Sequence, residues 1–83
     1  MNRRNLSVSV DLAADAAYVA LSDATVARTD EAGEGIMIDY DADGRPVGVE
    51  ILSVKSRIGK NEPNSYLRGL AEGVLASGRQ AAE

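Results

Sequence analysis

The chain has 83 residues, a net charge of −4 and a sequence pI of about 4.7. This acidic balance argues against nucleic-acid binding, which needs a clustered basic face. The chain contains neither cysteine nor histidine, which excludes thiolate nucleophiles, serine–histidine triads and ordinary zinc sites, and we expect no cofactor. No apolar run approaches the ~20 residues of a membrane span, and residues 1–6 lack the apolar stretch of a signal peptide. We therefore expect a cytoplasmic protein.

The material for a hydrophobic core is limited. There is no Phe or Trp, and the larger aliphatic residues are eight Val, seven Leu and four Ile. Burying one such side chain is worth roughly 1.5–3 kcal/mol, while ordering each residue costs about 1.5 kcal/mol, so the balance is close. We therefore expect residues 1–83 to form one domain that is stabilised as a homo-oligomer, with a dimer favoured.

The first half of the chain alternates apolar and polar residues. Leu6–Val10 and Ala17–Leu21 have the period of two that is typical of half-buried strands. Asp11–Asp15 interrupts them with alanines between two turn-forming aspartates, which predicts a tight corner. A more polar strand is predicted at Thr25–Thr29, at a sheet edge, followed by a loop over residues 30–35.

The clearest strand signals lie in the middle of the chain. Ile36–Tyr40 and Val47–Ile51 flank residues 41–44, so the pair predicts a β-hairpin. After a polar connector at residues 56–63 the apolar residues adopt a helical period, which predicts a C-terminal helix over residues 61–78. The predicted fold is a small α+β domain: an antiparallel β-meander of four or five strands over residues 5–54, with one C-terminal α-helix.

Residues 39–50 match the D-x-D-x-D-G-x5-E pattern of an EF-hand calcium loop. Asp39, Asp41, Asp43 and Glu50 occupy the acidic ligand positions, and Gly44 stands where such a loop turns sharply. Taken alone, the pattern predicts a hard-cation site built from carboxylate oxygens.

The flanking sequence argues against calcium binding. Both flanks alternate as strands do, whereas an EF-hand needs helices, and Pro46 has no amide hydrogen for pairing with a second loop. If the apolar residues of both strands face one core, Ile38 is expected to oppose Val47. That register places Glu50 about 13 Å from the level of Asp39, too far to share one ion. The segment is therefore interpreted as a hairpin closed by a type I turn.

Three segments carry a resemblance to a known family. Asp11–Leu21, Asp39–Gly44 and Val47–Leu52 resemble the YuzE-like family of small bacterial proteins of unknown function. The resemblance covers residues 6–54 and implies a domain dominated by antiparallel strands. Some family members are thought to be encoded beside small toxin-like proteins, which implies an antitoxin-like partner role as one option.

The chain departs from the family pattern in two places. Leu12 and Ala13 replace the usual Pro-Glu that follows the first aspartate, and the predicted helix at residues 61–78 lies beyond the family motifs. The resemblance brings no established catalytic or metal-binding residues. It also says nothing about the role of the helix.

Six carboxylates form an acidic cluster of unknown role in the sequence: Asp11, Asp15, Asp39, Asp41, Asp43 and Glu50. Paired carboxylates can perform acid/base catalysis, but turn capping and a solvated acidic surface explain them as well. Glu50 stands out because it lies between apolar neighbours on the strand face opposite the core. A buried carboxylate at this position would need a partner such as Arg28 or Arg45.

Glycines and other small residues mark two surfaces that another layer could approach closely. Gly35 and Gly48 leave little side-chain cover on the face that carries Glu50, where the C-terminal helix or a second subunit could pack. Gly69 and Gly73, with Ser77, line one ridge of the predicted helix, and packing of that ridge on the sheet or on a second helix would explain these costly glycines.

Two hypotheses follow for function. The first is a non-enzymatic protein-interaction module that forms a homo-oligomer and binds no nucleic acid or membrane. The alternative is a carboxylate-based metal-binding or hydrolytic protein that uses the turn at residues 39–43 together with Asp11 or Asp15. The alternative requires the two acidic turns to converge.

Overall fold

A five-stranded antiparallel sheet forms the centre of the structure. The computed structural model describes residues 6–81, and the side chains of residues 6–77. Residue 5, where the predicted sheet region begins, lies outside this range. The elements in chain order are β1 (Ser7–Asp11), β2 (Ala16–Ala20), β3 (Arg28–Gly33), β4 (Ile36–Tyr40), β5 (Pro46–Leu52), α1 (Val54–Ile58) and α2 (Pro63–Ala81).

The strands follow the order β1-β2-β5-β4-β3, and all neighbours are antiparallel. A meander would keep neighbouring strands in sequence order. Here the chain crosses from β2 to the far edge, and β5 returns to fill the position between β2 and β4. The predicted α+β class with an antiparallel sheet and a C-terminal helix is confirmed, and the connectivity is the difference.

Both helices pack on the same face of the sheet. The alternation within β2, β4 and β5 sends every second side chain to this face, where it meets apolar side chains of the helices. The buried cluster consists of Ala17, Val19, Ile36, Ile38, Val49, Ile51, Val54, Ile58, Leu67, Ala71 and Leu75. Within residues 6–81, neither helix has the length and apolar character required to cross a membrane.

Two element predictions are wrong. The edge strand β3 runs over Arg28–Gly33, so the segment predicted as a loop is largely strand, and Gly35 makes the tight turn into β4 with a φ of 73°. The connector predicted at residues 56–63 overlaps α1. This helix is too short to show a periodic signal, but it buries Val54 and Ile58, and the carboxylate of Asp15 accepts a hydrogen bond from the Lys55 amide at 2.9 Å.

The β4–β5 hairpin has the predicted faces but not the predicted register. Ile38 opposes Val49 rather than Val47. The loop holds five residues, since Tyr40 pairs with Pro46, and an irregularity between Asp39 and Tyr40 shifts the pairing by one more residue. The two single shifts sum to two, so each side chain keeps its face. Gly44 has the expected positive φ, at 80°.

The glycine ridge of α2 does not pack against the sheet. A Cβ atom added at Gly69 or Gly73 would meet nothing within 4 Å apart from the helix backbone. Together with Ala32 and Leu70, these glycines line an open groove of about 430 Å³. The prediction that intramolecular close packing explains these glycines is therefore wrong.

Candidate functional site

The face of the sheet opposite the helices is exposed in the described part of the chain. We call it the open face. The strand registers assign its members by alternation. They are Ser7, Ser9 and Asp11 of β1, Ala16, Tyr18 and Ala20 of β2, Thr29 and Glu31 of β3, Met37 and Asp39 of β4, and Gly48, Glu50 and Leu52 of β5.

Tyr18 lies across the middle of the open face. Its ring crosses the neighbouring strand directly over Gly48, which is buried for that reason. The Tyr18 hydroxyl then donates a hydrogen bond of 2.8 Å to Oδ2 of Asp39 on β4. Only glycine leaves room for this path, because a Cβ atom at residue 48 would overlap the phenol ring. The space above Gly48 is thus filled by Tyr18 of the same sheet, and not by the C-terminal helix or a second subunit.

Both carboxylate oxygens of Asp39 accept hydrogen bonds. The hydroxyl of Thr29 on β3 donates to Oδ1 of Asp39 at 2.6 Å, while Tyr18 occupies Oδ2. The three side chains form a polar belt, Tyr18–Asp39–Thr29, that spans strands β2, β5, β4 and β3. Charge-assisted hydrogen bonds are stronger than neutral ones, so the belt fixes these side chains in one arrangement across the sheet.

The environment of Tyr18 raises the pKa of its phenol from 10.0 to about 12. Partial burial is the largest cause, followed by the hydrogen bond to Asp39 and by the negative charges of Asp39 and Glu50. All of these disfavour the phenolate form of Tyr18. Tyr18 therefore acts as a hydrogen-bond donor at neutral pH rather than as a base.

Glu50 lies near the centre of the open face, opposite Tyr18 on one side and Met37 on the other. The observed register places it two residues from the level of Asp39, or about 7 Å along the strand. The predicted separation of about 13 Å is therefore wrong. Glu50 is half-buried rather than buried. Arg28, one of the two partners expected for a buried carboxylate at this position, lies on the helix side, where it pairs with Asp30 at 3.1 Å and stacks over Tyr40.

Two other carboxylates of the acidic cluster, Asp41 and Asp11, stabilise turns. Oδ1 of Asp41 accepts hydrogen bonds from the amides of Asp43 and Arg45, both at 2.9 Å. Asp11 accepts from the Ala14 amide at 3.2 Å in the first turn. These carboxylates fix the backbone of the turns through hydrogen bonds to its amides, as expected for aspartate in turns.

The structure does not bring the two acidic turns together. Ala16 pairs with Leu52 and Ala20 with Gly48, so the turn before Ala16 and the turn before Pro46 lie at opposite ends of the sheet. Within residues 6–81 no group of three or more carboxylates is arranged to hold a metal ion. The alternative function that requires convergence of these turns lacks its geometric basis.

The open face is acidic, and apolar side chains are interspersed among its carboxylates. Its strand positions carry four carboxylates and no lysine or arginine, as the membership given above shows. Ala16, Ala20 and Met37 are half-buried, and Leu52 is exposed. At one end, the Arg57 guanidinium donates to the backbone oxygens of Leu52 and Glu34, at 2.8 and 2.6 Å.

Sequence reasoning missed Tyr18 and Thr29 as site residues. A signal for Tyr18 was available, since it is the one large side chain in an alanine-rich strand and its open-face neighbours across the sheet include a glycine. Using that signal requires the β2–β5 register, which no local pattern reveals because the two strands are far apart in sequence. The local sequence does not identify Thr29 either, because its hydrogen bond to Asp39 depends on the pairing of β3 with β4.

The protein is thus a small α+β domain. Both helices form a core with one face of the sheet, and the polar belt orders the acidic open face on the other side. Residues 8–55, more than half of the chain, match the family described as protein of unknown function DUF2283, and the chain belongs to this family. No curated protein and no solved structure matches the chain. The matched residues include nearly the whole sheet and the belt, whereas α2 lies outside them.

Proposed function

We propose that the protein is a non-enzymatic protein-interaction module that binds a basic protein partner through the open face. The observation that carries this proposal is the composition of that face: four carboxylates interspersed with apolar side chains, and no lysine or arginine at its strand positions. Charge complementarity then favours a partner that presents arginine or lysine side chains.

The centre of the open face supports recognition of a protein rather than a small ion. Tyrosine and methionine are enriched at the centres of protein interfaces, and here Tyr18 and Met37 flank the half-buried Glu50. A partner side chain with an aliphatic stem and a cationic end could cover Met37 and pair with Glu50 at once. The belt through Asp39 holds the surface in place before binding, which lowers the entropic cost of association.

The chemistry of the chain also favours binding over catalysis. With no histidine or cysteine, the remaining candidates for a reaction are carboxylates, hydroxyls and the side chains of lysine and arginine, and the open face carries neither of the last two at its strand positions. Asp39 uses both carboxylate oxygens within the sheet, and Asp41 uses one oxygen for two backbone amides. Asp39 thus stabilises the surface that the proposal assigns to the partner, and Asp41 stabilises the neighbouring hairpin loop.

Narrower expectations remain part of the proposal. They are membership of the YuzE-like group, a cytoplasmic location and an antitoxin-like role, in which the basic partner would be a small toxin-like protein. Support for the antitoxin-like role comes from the family resemblance together with the acidic open face. Co-expression with the product of a neighbouring toxin-like gene would test it, since relief of growth inhibition is the expected result.

Affinity capture from the source lysate tests the proposal. The protein is immobilised as the native chain, as Glu50→Lys and as Glu72→Lys, a matched charge reversal on the exposed surface of α2. We expect the native chain and Glu72→Lys to retain the same basic protein, and Glu50→Lys to lose it. Added salt should weaken the retention, because the attraction is between surface charges.

A second variant guards against a folding defect at residue 50. Glu31 lies on the open face but is exposed on the edge strand, so Glu31→Lys changes the charge of the face with little effect on packing. Equal capture by all variants would contradict the proposal, and so would a captured partner that is acidic.

A further inference from the structure

We infer that β1 is the interface of a symmetric homodimer, in which the β1 edges of two copies pair antiparallel and join the two sheets into one. The two edges of the sheet differ in a way that points to β1. Edge strands normally carry charges or bulges that prevent pairing with other chains. The edge strand β3 has both, whereas β1 has neither along Ser7–Val10.

The features that protect β3 from pairing with another chain can be assigned to particular residues. It carries Arg28, Asp30 and Glu31, and its pairing with β4 is irregular between Glu31 and Gly33. All six of its residues are exposed. By contrast, β1 has the sequence Ser-Val-Ser-Val-Asp, whose only charge is at its last residue, and its pairing with β2 shows no bulge or irregularity. One side of the β1 backbone has no strand partner within residues 6–81.

The sequence of β1 is complementary to itself in one register. An antiparallel pair centred on Ser9 pairs all five residues of both strands. On the helix side, Val8 of each copy would oppose Val10 of the other. On the open face, Ser9 would oppose Ser9, and the Ser7 hydroxyl would lie beside the Asp11 carboxylate. No like charges meet, and the cross-strand pairs are of stabilising types.

The exposure of apolar residues near β1 fits this interface. Val10 is 39% exposed although its side chain points to the helix side, and Leu12 in the following turn is 60% exposed. The α2 helix packs over β1 and β2. A two-fold axis perpendicular to the sheet keeps the helices of both copies on one side, where they would shield Val10. A second copy of β1 matches each of these features: its backbone pairs with the unpaired backbone edge, its Val8 covers the exposed Val10, and its Ser7 hydroxyl lies beside Asp11.

The dimer would also enlarge the proposed partner surface. The same axis places both open faces on one side of the joined sheet, so the acidic surface becomes continuous across the interface. Dimerisation does not depend on the proposed function, because it is measured on the isolated protein.

Cysteine cross-linking tests the register directly, because the chain contains no other cysteine. Residues opposed in an antiparallel pair have Cα atoms about 4.5–5.5 Å apart, within the range that a disulfide spans. Under mild oxidation, Ser9→Cys should therefore form a covalent dimer. Ser7→Cys should not, because the two copies of residue 7 lie four residues, or about 13 Å, apart. Glu31→Cys on the other edge is the control for random collision.

Sedimentation velocity of the cysteine-free protein gives an independent readout. We expect a dimer whose dissociation constant rises at least about tenfold in Ser9→Lys, which places two like charges side by side, and stays unchanged in Glu31→Lys. A mixture of Ser9→Lys with Ser9→Glu should recover the dimer. A monomer at concentrations up to about 0.5 mM would overturn the inference. Equal cross-linking of residues 7 and 9, or a dimer that tolerates Ser9→Lys, would overturn it as well.

Discussion

Replacement of Gly48 by alanine tests whether the polar belt requires a residue without a side chain where the Tyr18 ring crosses β5. The added methyl group would overlap the phenol hydroxyl and lie 2.7 Å from Cε2, so the ring must move and the hydrogen bond to Asp39 must break. Forced overpacking costs about 1–3 kcal/mol, and a partly exposed hydrogen bond adds about 1 kcal/mol. Alanine recovers about 0.5–1 kcal/mol over glycine in a strand. We expect a net loss of about 2 kcal/mol of unfolding free energy.

Urea unfolding followed by far-ultraviolet circular dichroism measures this loss, and a double-mutant cycle identifies its cause. In a Tyr18→Ala background there is no ring to displace, so Gly48→Ala should become neutral or stabilising, which gives a coupling energy of about 2 kcal/mol. The control is Gly33→Ala, where the added methyl would meet nothing within 4 Å. A loss of unfolding free energy in Gly48→Ala that is the same with and without the Tyr18 ring, or no larger than that of Gly33→Ala, would show that the ring does not depend on Gly48.

Three further predictions concern pH, the hairpin turn and α2. Folding raises the pKa of Tyr18 from 10.0 to about 12, so its stabilising contribution is complete below pH 10 and is lost as the pH rises toward 12; Tyr18→Phe should remove this alkaline loss in unfolding measurements. Asp41→Ala should lower the unfolding free energy by about 1–2 kcal/mol, since two backbone amides lose their acceptor, while Asp43→Ala should stay within about 0.5 kcal/mol in the same urea titration. Gly69→Ala and Gly73→Ala should each stabilise α2 by about 0.5–1 kcal/mol and raise the thermal midpoint, because the added methyl groups enter open space. A lower midpoint in either variant would show that something packs on the ridge.

Local patterns in the sequence were sufficient to predict most of the sheet. The period of two in β4 and β5 identified both strands and their core faces, because one face of each strand must be apolar to be buried. The turn residues Asp41 and Gly44 also behave as their chemistry predicts. The register of the hairpin was wrong by two residues, since parity fixes the face of a side chain but not the loop length or an added irregularity.

The candidate site was harder to predict than the strands. Its central contact joins Tyr18 to Asp39, which lie 21 positions apart in sequence and on strands that are not neighbours in the sheet. This contact depends on the insertion of β5 between β2 and β4, a feature of topology that local propensity does not determine. The acidic pattern drew attention to Asp39 for calcium binding, whereas its oxygens serve Tyr18 and Thr29.

If the partner binds the open face and no other surface, binding must cover the carboxylates of that face. Carboxyl footprinting of the captured complex tests it most directly, because the face is acidic and each carboxylate reports on its own exposure. Glu31 and Glu50 lie on the open face, whereas Glu62 and Glu72 lie at the start and on the exposed side of α2. We expect partner binding to lower the modification of Glu31 and Glu50 severalfold and to leave that of Glu62 and Glu72 unchanged. Protection of Glu62 and Glu72, with Glu31 and Glu50 still reactive, would contradict it.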